Sequence, residues 1–135
     1  MSQLSPQFST RFAPMLFIED GWNAIEFYKT AFGAVEVRIF KNDDGTIHVA
    51  ELAIDENLFH IREVNPSRKH LDPLESGGAT CIIELWTADP NTTYNNAIKA
   101  GAIEVNPVTD YPETGYRQGT IIDPFGHHWH LMQPL

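Results

Sequence analysis

GTIIDPFGHHWHLMQ, residues 119–133, is the stretch that decides the fold. Two short apolar runs flank its DPFG segment, whose proline and glycine are typical of a β-hairpin turn. The second run alternates, so His128 and His130 point to one face of a strand while Trp129 and Leu131 point to the other. Burial of the tryptophan and the leucine would leave the two histidines on the wall of a pocket.

Length and composition predict one globular domain in the cytoplasm. The 135 residues are 42% hydrophobic and 20% charged, which is ordinary for a folded protein. The formal net charge of -9 argues against nucleic-acid and anionic-membrane partners and favours a neutral or cationic ligand. Cys81 is the single cysteine, so no internal disulfide forms and a reducing compartment is the simplest location. No apolar run has the length of a membrane span or a signal peptide.

The chain shows the pattern of one strand, one helix and three strands twice. We interpret it as a single domain, residues 1–135, with a first repeat at about 11–65, a connection at 66–78 and a second repeat at about 79–134. Three short matches support the repeat: GAVEV at 33–37 with GAIEV at 101–105, GTI at 45–47 with GTI at 119–121, and LFHI at 58–61 with HWHL at 128–131. Their unequal spacing predicts a longer loop after residue 108 and a tighter final hairpin in the second repeat.

Local signals place both helices. Asp20 and Asp89-Pro90 predict helix starts, because aspartate caps free backbone N–H groups and proline suits the first turn. Gly33 and Gly101 predict the ends. One helix covers only one face of a four-stranded sheet. We therefore predict an α+β fold in which two βαβββ repeats form a curved mixed sheet around a cleft, with the helices outside.

The strand faces turned away from the helices would line this cleft. Alternation assigns to these faces Ala13, Met15, Phe17, Leu58, His60, Arg62, Ile82, Glu84, Trp86, His128, His130 and Met132. Aromatic and apolar walls with a few ionisable groups are typical of small-molecule sites. The aromatic residues equally suit a packed core, and the histidines equally suit polar residues that bind nothing. His127 and His128 suit the surface or the rim of the pocket.

Glu84 has two interpretations. It forms an ion pair with Arg62 or Arg117, or it is a buried carboxylate with a raised pKa that serves as a catalytic base or a cation anchor.

Three segments together resemble the vicinal oxygen chelate superfamily, which includes glyoxalases, bleomycin-resistance proteins and extradiol dioxygenases. They are AIEFYKTAFGA at 24–34, AIKAGA at 97–102 and DPFGHHWHLMQ at 123–133. The resemblance covers about residues 11–134 and is greatest to the PhnB-like branch. It implies paired βαβββ units around a cleft, usually in a homodimer. It also matches Arg117 to an arginine that precedes a glycine on the seventh strand, where it either anchors substrate or forms a salt bridge at the sheet edge.

The resemblance also implies where a metal would bind. The family's ligand positions fall on Ala13, His60, Ile82 and His130, of which only the two histidines can bind metal. A catalytic zinc site generally has three protein ligands. We therefore expect no cofactor. The alternative is a divalent metal on His60 and His130, completed by Glu84 as the carboxylate.

Two functions follow as hypotheses. The first is a homodimeric cleft protein without a full metal site that sequesters a cationic aromatic compound. In it Trp86 and Phe17 stack on the ligand and Glu84 supplies the opposite charge. The second is a metal-dependent lyase, isomerase or dioxygenase-like enzyme that chelates two adjacent substrate oxygens, with Glu84 moving the proton.

Overall fold

A computed structural model describes residues 9–135, and within this range it has eight strands and three helices. In chain order the strands are β1 (Met15–Ile18), β2 (Val35–Lys41), β3 (Ile47–Ile54), β4 (Asn57–Glu63), β5 (Ile82–Trp86), β6 (Ile103–Tyr111), β7 (Tyr116–Ile122) and β8 (His128–Pro134). The helices are α1 (Gly21–Phe32), α2 (Pro73–Ser76) and α3 (Pro90–Lys99), and a 3-10 turn covers Pro66–Arg68. No helix in the described range is long and apolar enough to cross a membrane.

The two long helices begin and end as local chemistry predicts. The Asp20 side chain accepts a hydrogen bond from the Asn23 N–H at the start of α1, and Asp89 accepts one from Thr92 at the start of α3. Gly33 ends α1 with φ at 70°, a left-handed conformation that glycine adopts without strain.

Each repeat forms its own four-stranded sheet. The strand orders are β1-β4-β3-β2 and β5-β8-β7-β6, with the first strand of each repeat parallel to the last. The α+β class and the two βαβββ units are therefore confirmed. In the described residues no strand pairing joins the sheets, so β1 and β5 are edge strands that pair on one side only.

The helix-bearing faces of the two sheets share one hydrophobic core. Helix α1 packs against α3, and the Trp129 ring lies between residues of the first repeat. Its centroid is 4.6 Å from that of Phe32, 5.7 Å from Tyr28 and 6.2 Å from Phe59. The other face of each sheet therefore points away from this core.

The GTI match between residues 45–47 and 119–121 does not join equivalent positions of the two units. Gly119 lies inside β7 and pairs with Leu131, whereas Gly45 lies in the turn before β3. The residue equivalent to Ile121 is Leu52, since they pair with Trp129 and Phe59 at the same place in each unit. A glycine is needed in β7 because a Cβ at Gly119 would lie 2.7 Å from a methyl group of β6.

The predicted loop lengths were also wrong. The final hairpin of the first repeat has two turn residues, Asp55 and Glu56, whereas that of the second has five, 123–127. Strand β6 continues to Tyr111, so the loop before β7 is short. Its register shifts around Pro107, because proline cannot donate to the strand ladder and is accommodated at an irregularity.

Candidate functional site

The face of the first sheet turned away from the core is called here the first open face. It comprises Met15 and Phe17 of β1, Leu58, His60 and Arg62 of β4, Glu51 of β3 and Arg38 of β2. Leu16 and Ile18, on the opposite side of β1, are buried in the core. Alternation along β1 and β4 therefore places these residues as the sequence predicted. Ala13 lies before the start of β1.

His60 is held at the centre of this face by a carboxylate. Its Nε2 lies 3.1 Å from Oε2 of Glu51, whose other oxygen accepts a 2.9 Å hydrogen bond from Nε of Arg38. These bonds, from Arg38 first and His60 second, hold the pKa of Glu51 below its usual value. Because an ionised carboxylate only accepts hydrogen bonds, His60 carries its proton on Nε2.

Phe17 lies where the first open face meets the connection between the repeats. Its ring stacks on His70 with centroids 4.2 Å apart. Its carbonyl oxygen accepts a 2.9 Å hydrogen bond from Nε2 of His127, which comes from the second repeat. His127 is buried, so its assignment to the surface or rim was wrong. The connection and the last hairpin thus enclose one end of this face.

The corresponding face of the second sheet is called the second open face. It comprises Ile82, Glu84 and Trp86 of β5, His128, His130 and Met132 of β8, and Tyr116 and Thr120 of β7. Trp86 is 46% exposed and meets Tyr116 edge to face with ring centroids 5.2 Å apart. Met132, its partner across the strands, is 3% exposed. Trp86 therefore presents a supported aromatic surface to solvent.

Glu84 is exposed, so the prediction of a buried carboxylate was wrong for the single chain. In the described residues it has no ion pair, so the predicted pair with Arg62 or Arg117 is absent too. Glu84 is the residue opposite His130 in the strand register.

Arg117 lies on the other side of the second sheet. It pairs with Gln133 and shares the face of Gly119 and Leu131, which turns toward the core. Its Nε donates a 2.6 Å hydrogen bond to Asp110, and its Nη1 donates one to Gln133. The salt-bridge interpretation of Arg117 agrees with these contacts, and a place beside His130 does not.

The strand register shows which residues lie beside the two candidate metal histidines. Met15 lies opposite His60, and Glu84 lies opposite His130. Ala13 lies before the start of β1, and Ile82 lies opposite His128. The repeat-related histidines differ in their other neighbour, which is Glu51 for His60 and Thr120 for His130.

One chain does not bring the two histidines together. Neighbours along a strand point to opposite faces, so His60 and His130 point away from Phe59 and Trp129. The rings of Phe59 and Trp129 meet in the core that both sheets share. His60 and His130 therefore point away from each other within the chain. Among residues 9–135, no three histidine, cysteine or acidic side chains are grouped to hold a metal ion.

A cavity of about 290 Å³ lies between the two units beside the second open face. Phe12, Pro14 and Leu58 line it from the first repeat, and Glu84 and Trp86 line it from the second. Its volume is at the lower end of the range for small-molecule sites.

Sequence reasoning treated Asp123 only as a turn residue. In the structure it is 1% exposed, and its two oxygens accept four hydrogen bonds, from Tyr28, Trp129 and the backbone N–H groups of Phe125 and His127. The clue in the sequence was an acidic residue directly after a buried apolar run. Asp123 joins α1 of the first repeat to the last hairpin of the second.

Proteins from other organisms are similar in sequence to this one over most of its length. The uncharacterized protein Mb0911c of Mycobacterium bovis is 35% identical over 126 residues, which are 91% of this chain and 82% of that protein. The uncharacterized protein At5g48480 of Arabidopsis thaliana is 32% identical over 129 residues, which are 89% of this chain and 76% of that protein. No family model matches the chain.

Solved structures identify the fold family. The X-ray structure of the At5g48480 gene product matches with a TM-score of 0.72 and 29% identity, over 92% of this chain and 98% of that one. A glyoxalase/bleomycin resistance protein/dioxygenase family enzyme from Burkholderia phytofirmans matches with a TM-score of 0.70 and 14% identity, over 90% and 95%. The chain belongs to the same family as Mb0911c and At5g48480, and it has the vicinal oxygen chelate fold. Membership in the vicinal oxygen chelate superfamily and in its PhnB-like branch stays a prediction.

One further structural neighbour is a resistance protein. The fosfomycin resistance protein FosX from Mesorhizobium loti matches with a TM-score of 0.68 and 14% identity, over 96% of this chain and 95% of that one. At this identity the match shows the shared fold alone.

Proposed function

We propose that this protein binds a small aromatic ligand in a cleft that two copies of the chain complete. The vicinal oxygen chelate fold supports a small-molecule role. The exposed Trp86 beside Glu84 is the observation from which we infer the kind of ligand. A planar cation would stack on the indole and face the carboxylate. Sequestration of such a compound in the cytoplasm is the function we favour.

The two-chain cleft is supported by what each open face leaves exposed. Met15, Ile82 and Trp86 are 46%, 49% and 46% exposed, and all three lie on an open face. Among residues 9–135, strands β1 and β5 also have one edge without a strand partner. Exposed apolar faces and free strand edges favour association with another chain. In the proposed homodimer the first open face of one chain lies beside the second open face of its partner.

Titration with planar cationic dyes should quench the tryptophan fluorescence saturably. Trp86→Phe should remove most of the quenching. Trp22→Phe should retain it, because Trp22 lies at the start of α1 and not on an open face. Glu84→Gln should weaken binding by up to about fivefold, since exposed charge pairs contribute about 1 kcal/mol at most. Quenching that never saturates, or that is unchanged in Trp86→Phe, would contradict the proposed site.

The same samples test the dimer. Sedimentation at the dye-binding concentration should give a dimer, and Ile82→Lys should dissociate it and abolish binding. A folded monomer that binds the dyes with undiminished affinity would show that one chain suffices.

A metal-dependent enzyme is the second candidate function. The strand register supports it, because it places a carboxylate beside one of the two candidate metal histidines. Glu84 and His130 are neighbours on one chain, and His60 of a partner would add the second histidine of a two-histidine, one-carboxylate set. These residues fit a divalent metal in the homodimer alone. A bound metal would polarise two adjacent substrate oxygens. The existing bond between His60 and Glu51 weighs against it, because metal binding at Nε2 would break that bond.

Elemental analysis of protein purified without a polyhistidine tag separates the two candidates. The enzyme requires about one divalent metal per cleft, lost in His130→Ala and in any variant that dissociates the dimer. His128→Ala is the matched control, since His128 lies opposite Ile82 and not Glu84. The absence of stoichiometric metal after loading with zinc, manganese or iron would exclude the enzyme and leave the binding function in place.

A further inference from the structure

Three cationic side chains lie together where the first open face meets the connection. Arg62 is at the end of β4, and Arg68 and Lys69 follow in and after the 3-10 turn. The side chain of Asn65 fixes this turn by accepting the Ser67 N–H at 3.1 Å. We call Arg62, Arg68 and Lys69 the cationic patch.

None of the three side chains has an ion pair in the described part of the chain. By contrast, Lys29, Arg38 and Arg117 each form an ion pair with a described carboxylate. Acidic residues outnumber basic ones by 18 to 9 in this protein. The patch thus brings three cations near one another without a carboxylate partner among the described residues, and it could bind an anion from outside the chain.

Burial and charges of the patch lower the pKa of the neighbouring histidine, His70. Burial lowers the pKa of His70, and the charges of Arg62 and then Arg68 lower it further. His70 is therefore neutral at pH 7, and it stacks on Phe17 without adding to the charge. The stacked pair gives the patch an aromatic border.

Space for a ligand lies on both sides of the patch. A cavity of about 460 Å³ is lined by Lys69, Met15, Phe17 and Thr80, and none of the described residues that line it is acidic. A second cavity, of about 480 Å³, is lined by Arg62 and Arg68 together with two glutamates and other polar residues.

The two glutamates of the second cavity form no ion pair with the patch among the described residues. Both oxygens of Glu63 accept backbone hydrogen bonds, from Gly21 at 2.8 Å and from Ile47 at 2.9 Å. Glu19 is exposed and has no ion pair with the patch in residues 9–135. An incoming anion therefore has both guanidinium groups available.

We propose that the ligand of the cleft carries a carboxylate or phosphate group that Arg62, Arg68 and Lys69 hold, with its apolar body against Phe17 and Met15. This inference rests on the proposed binding function and adds the charge of the ligand at this end. Guanidinium groups suit it because they bind both oxygens of such anions at once. Glu84 on the second open face would bind a cationic group at the other end of the ligand. The full ligand is then a small aromatic zwitterion.

NMR titration in a buffer without phosphate tests the patch. The probes are phenyl phosphate, benzoate and, as the uncharged control, benzyl alcohol. The two anions should shift the amide signals of residues 62–70 saturably and bind more weakly as salt is added. Arg62→Gln and Arg68→Gln should each weaken binding of the preferred anion by about tenfold or more. Lys69→Gln should weaken it as well, while Lys99→Gln, which removes one cation from α3, should not.

The outcomes separate this inference from the proposed function. If benzyl alcohol binds as well as the anions, or if Arg62→Gln keeps its affinity for them while its spectrum stays folded, the patch does not recognise anions. Saturable quenching of Trp86 by cationic dyes would then leave the cleft function standing. Failure of the dyes, with phenyl phosphate still bound through Arg62 and Arg68, would remove the cationic-ligand proposal and keep the anion site.

Discussion

Replacement of Asp123 by asparagine should lower the free energy of unfolding by about 3 kcal/mol or more. One oxygen of Asp123 accepts the N–H groups of Phe125 and His127 at 2.9 and 3.0 Å. The other accepts the Tyr28 hydroxyl at 2.5 Å and the Trp129 Nε1–H at 2.9 Å. An asparagine side chain would turn an NH₂ donor toward two of these donors inside the core. Chemical denaturation measures the loss.

Tyr28→Phe is the matched control for this network. It removes one donor and leaves the carboxylate with three, so it should cost about 1.5–2 kcal/mol, less than the loss of the carboxylate itself. An Asp123→Asn variant as stable as Tyr28→Phe would contradict the role given to the carboxylate.

The same tyrosine sets an alkaline limit to stability. Burial raises the pKa of Tyr28 well above its usual value, and the Asp123 carboxylate raises it further. The folded chain thus keeps the proton while the unfolded chain loses it above about pH 10. The stabilisation is therefore full below that pH and declines as the pH rises through it. Tyr28→Phe should show a smaller decline, because burial and Glu104 raise the pKa of Tyr94 as well and that tyrosine remains.

Trp129→Ala should cost about 3–5 kcal/mol of unfolding free energy. The side chain is 2% exposed and packs on the rings of Phe32, Tyr28 and Phe59. Its removal leaves a cavity between the repeats and deprives Asp123 of a donor. Thermal and urea unfolding should both show the loss.

Trp22→Ala is the control for the loss of an indole ring. Trp22 is 43% exposed, donates to the Gly45 carbonyl at 3.2 Å and lies under the ammonium group of Lys41. Its replacement should cost about 1 kcal/mol or less. Equal costs for the two tryptophans would mean that the shared core contributes little to holding the repeats together.

Features encoded by neighbours in the sequence were predicted correctly. The caps at Asp20, Gly33 and Asp89 act within one helical turn, so residue type is sufficient to place them. Alternation along β8 separated His128 and His130 from Trp129 and Leu131, because a strand has a fixed period of two residues.

Features that depend on distant contacts were predicted incorrectly. The Gly45 and Gly119 matches look alike in the sequence, yet Gly119 is needed for packing against β6. The relation of the two sheets depends on how Trp129 meets Phe59 across the core, which periodicity within one strand does not contain. The exposure of Glu84 follows from that same relation, since its face turns away from the core.

The unequal final hairpins bear on how such a chain can evolve. In the two-residue turn both acids, Asp55 and Glu56, are exposed, whereas Asp123 is buried, and the tyrosine of α3, Tyr94, bonds to Glu104 of its own half. A tandem fusion of two first halves would therefore lack the acid that fastens its halves to each other. If the chain descends from a gene duplication, its two copies are no longer interchangeable.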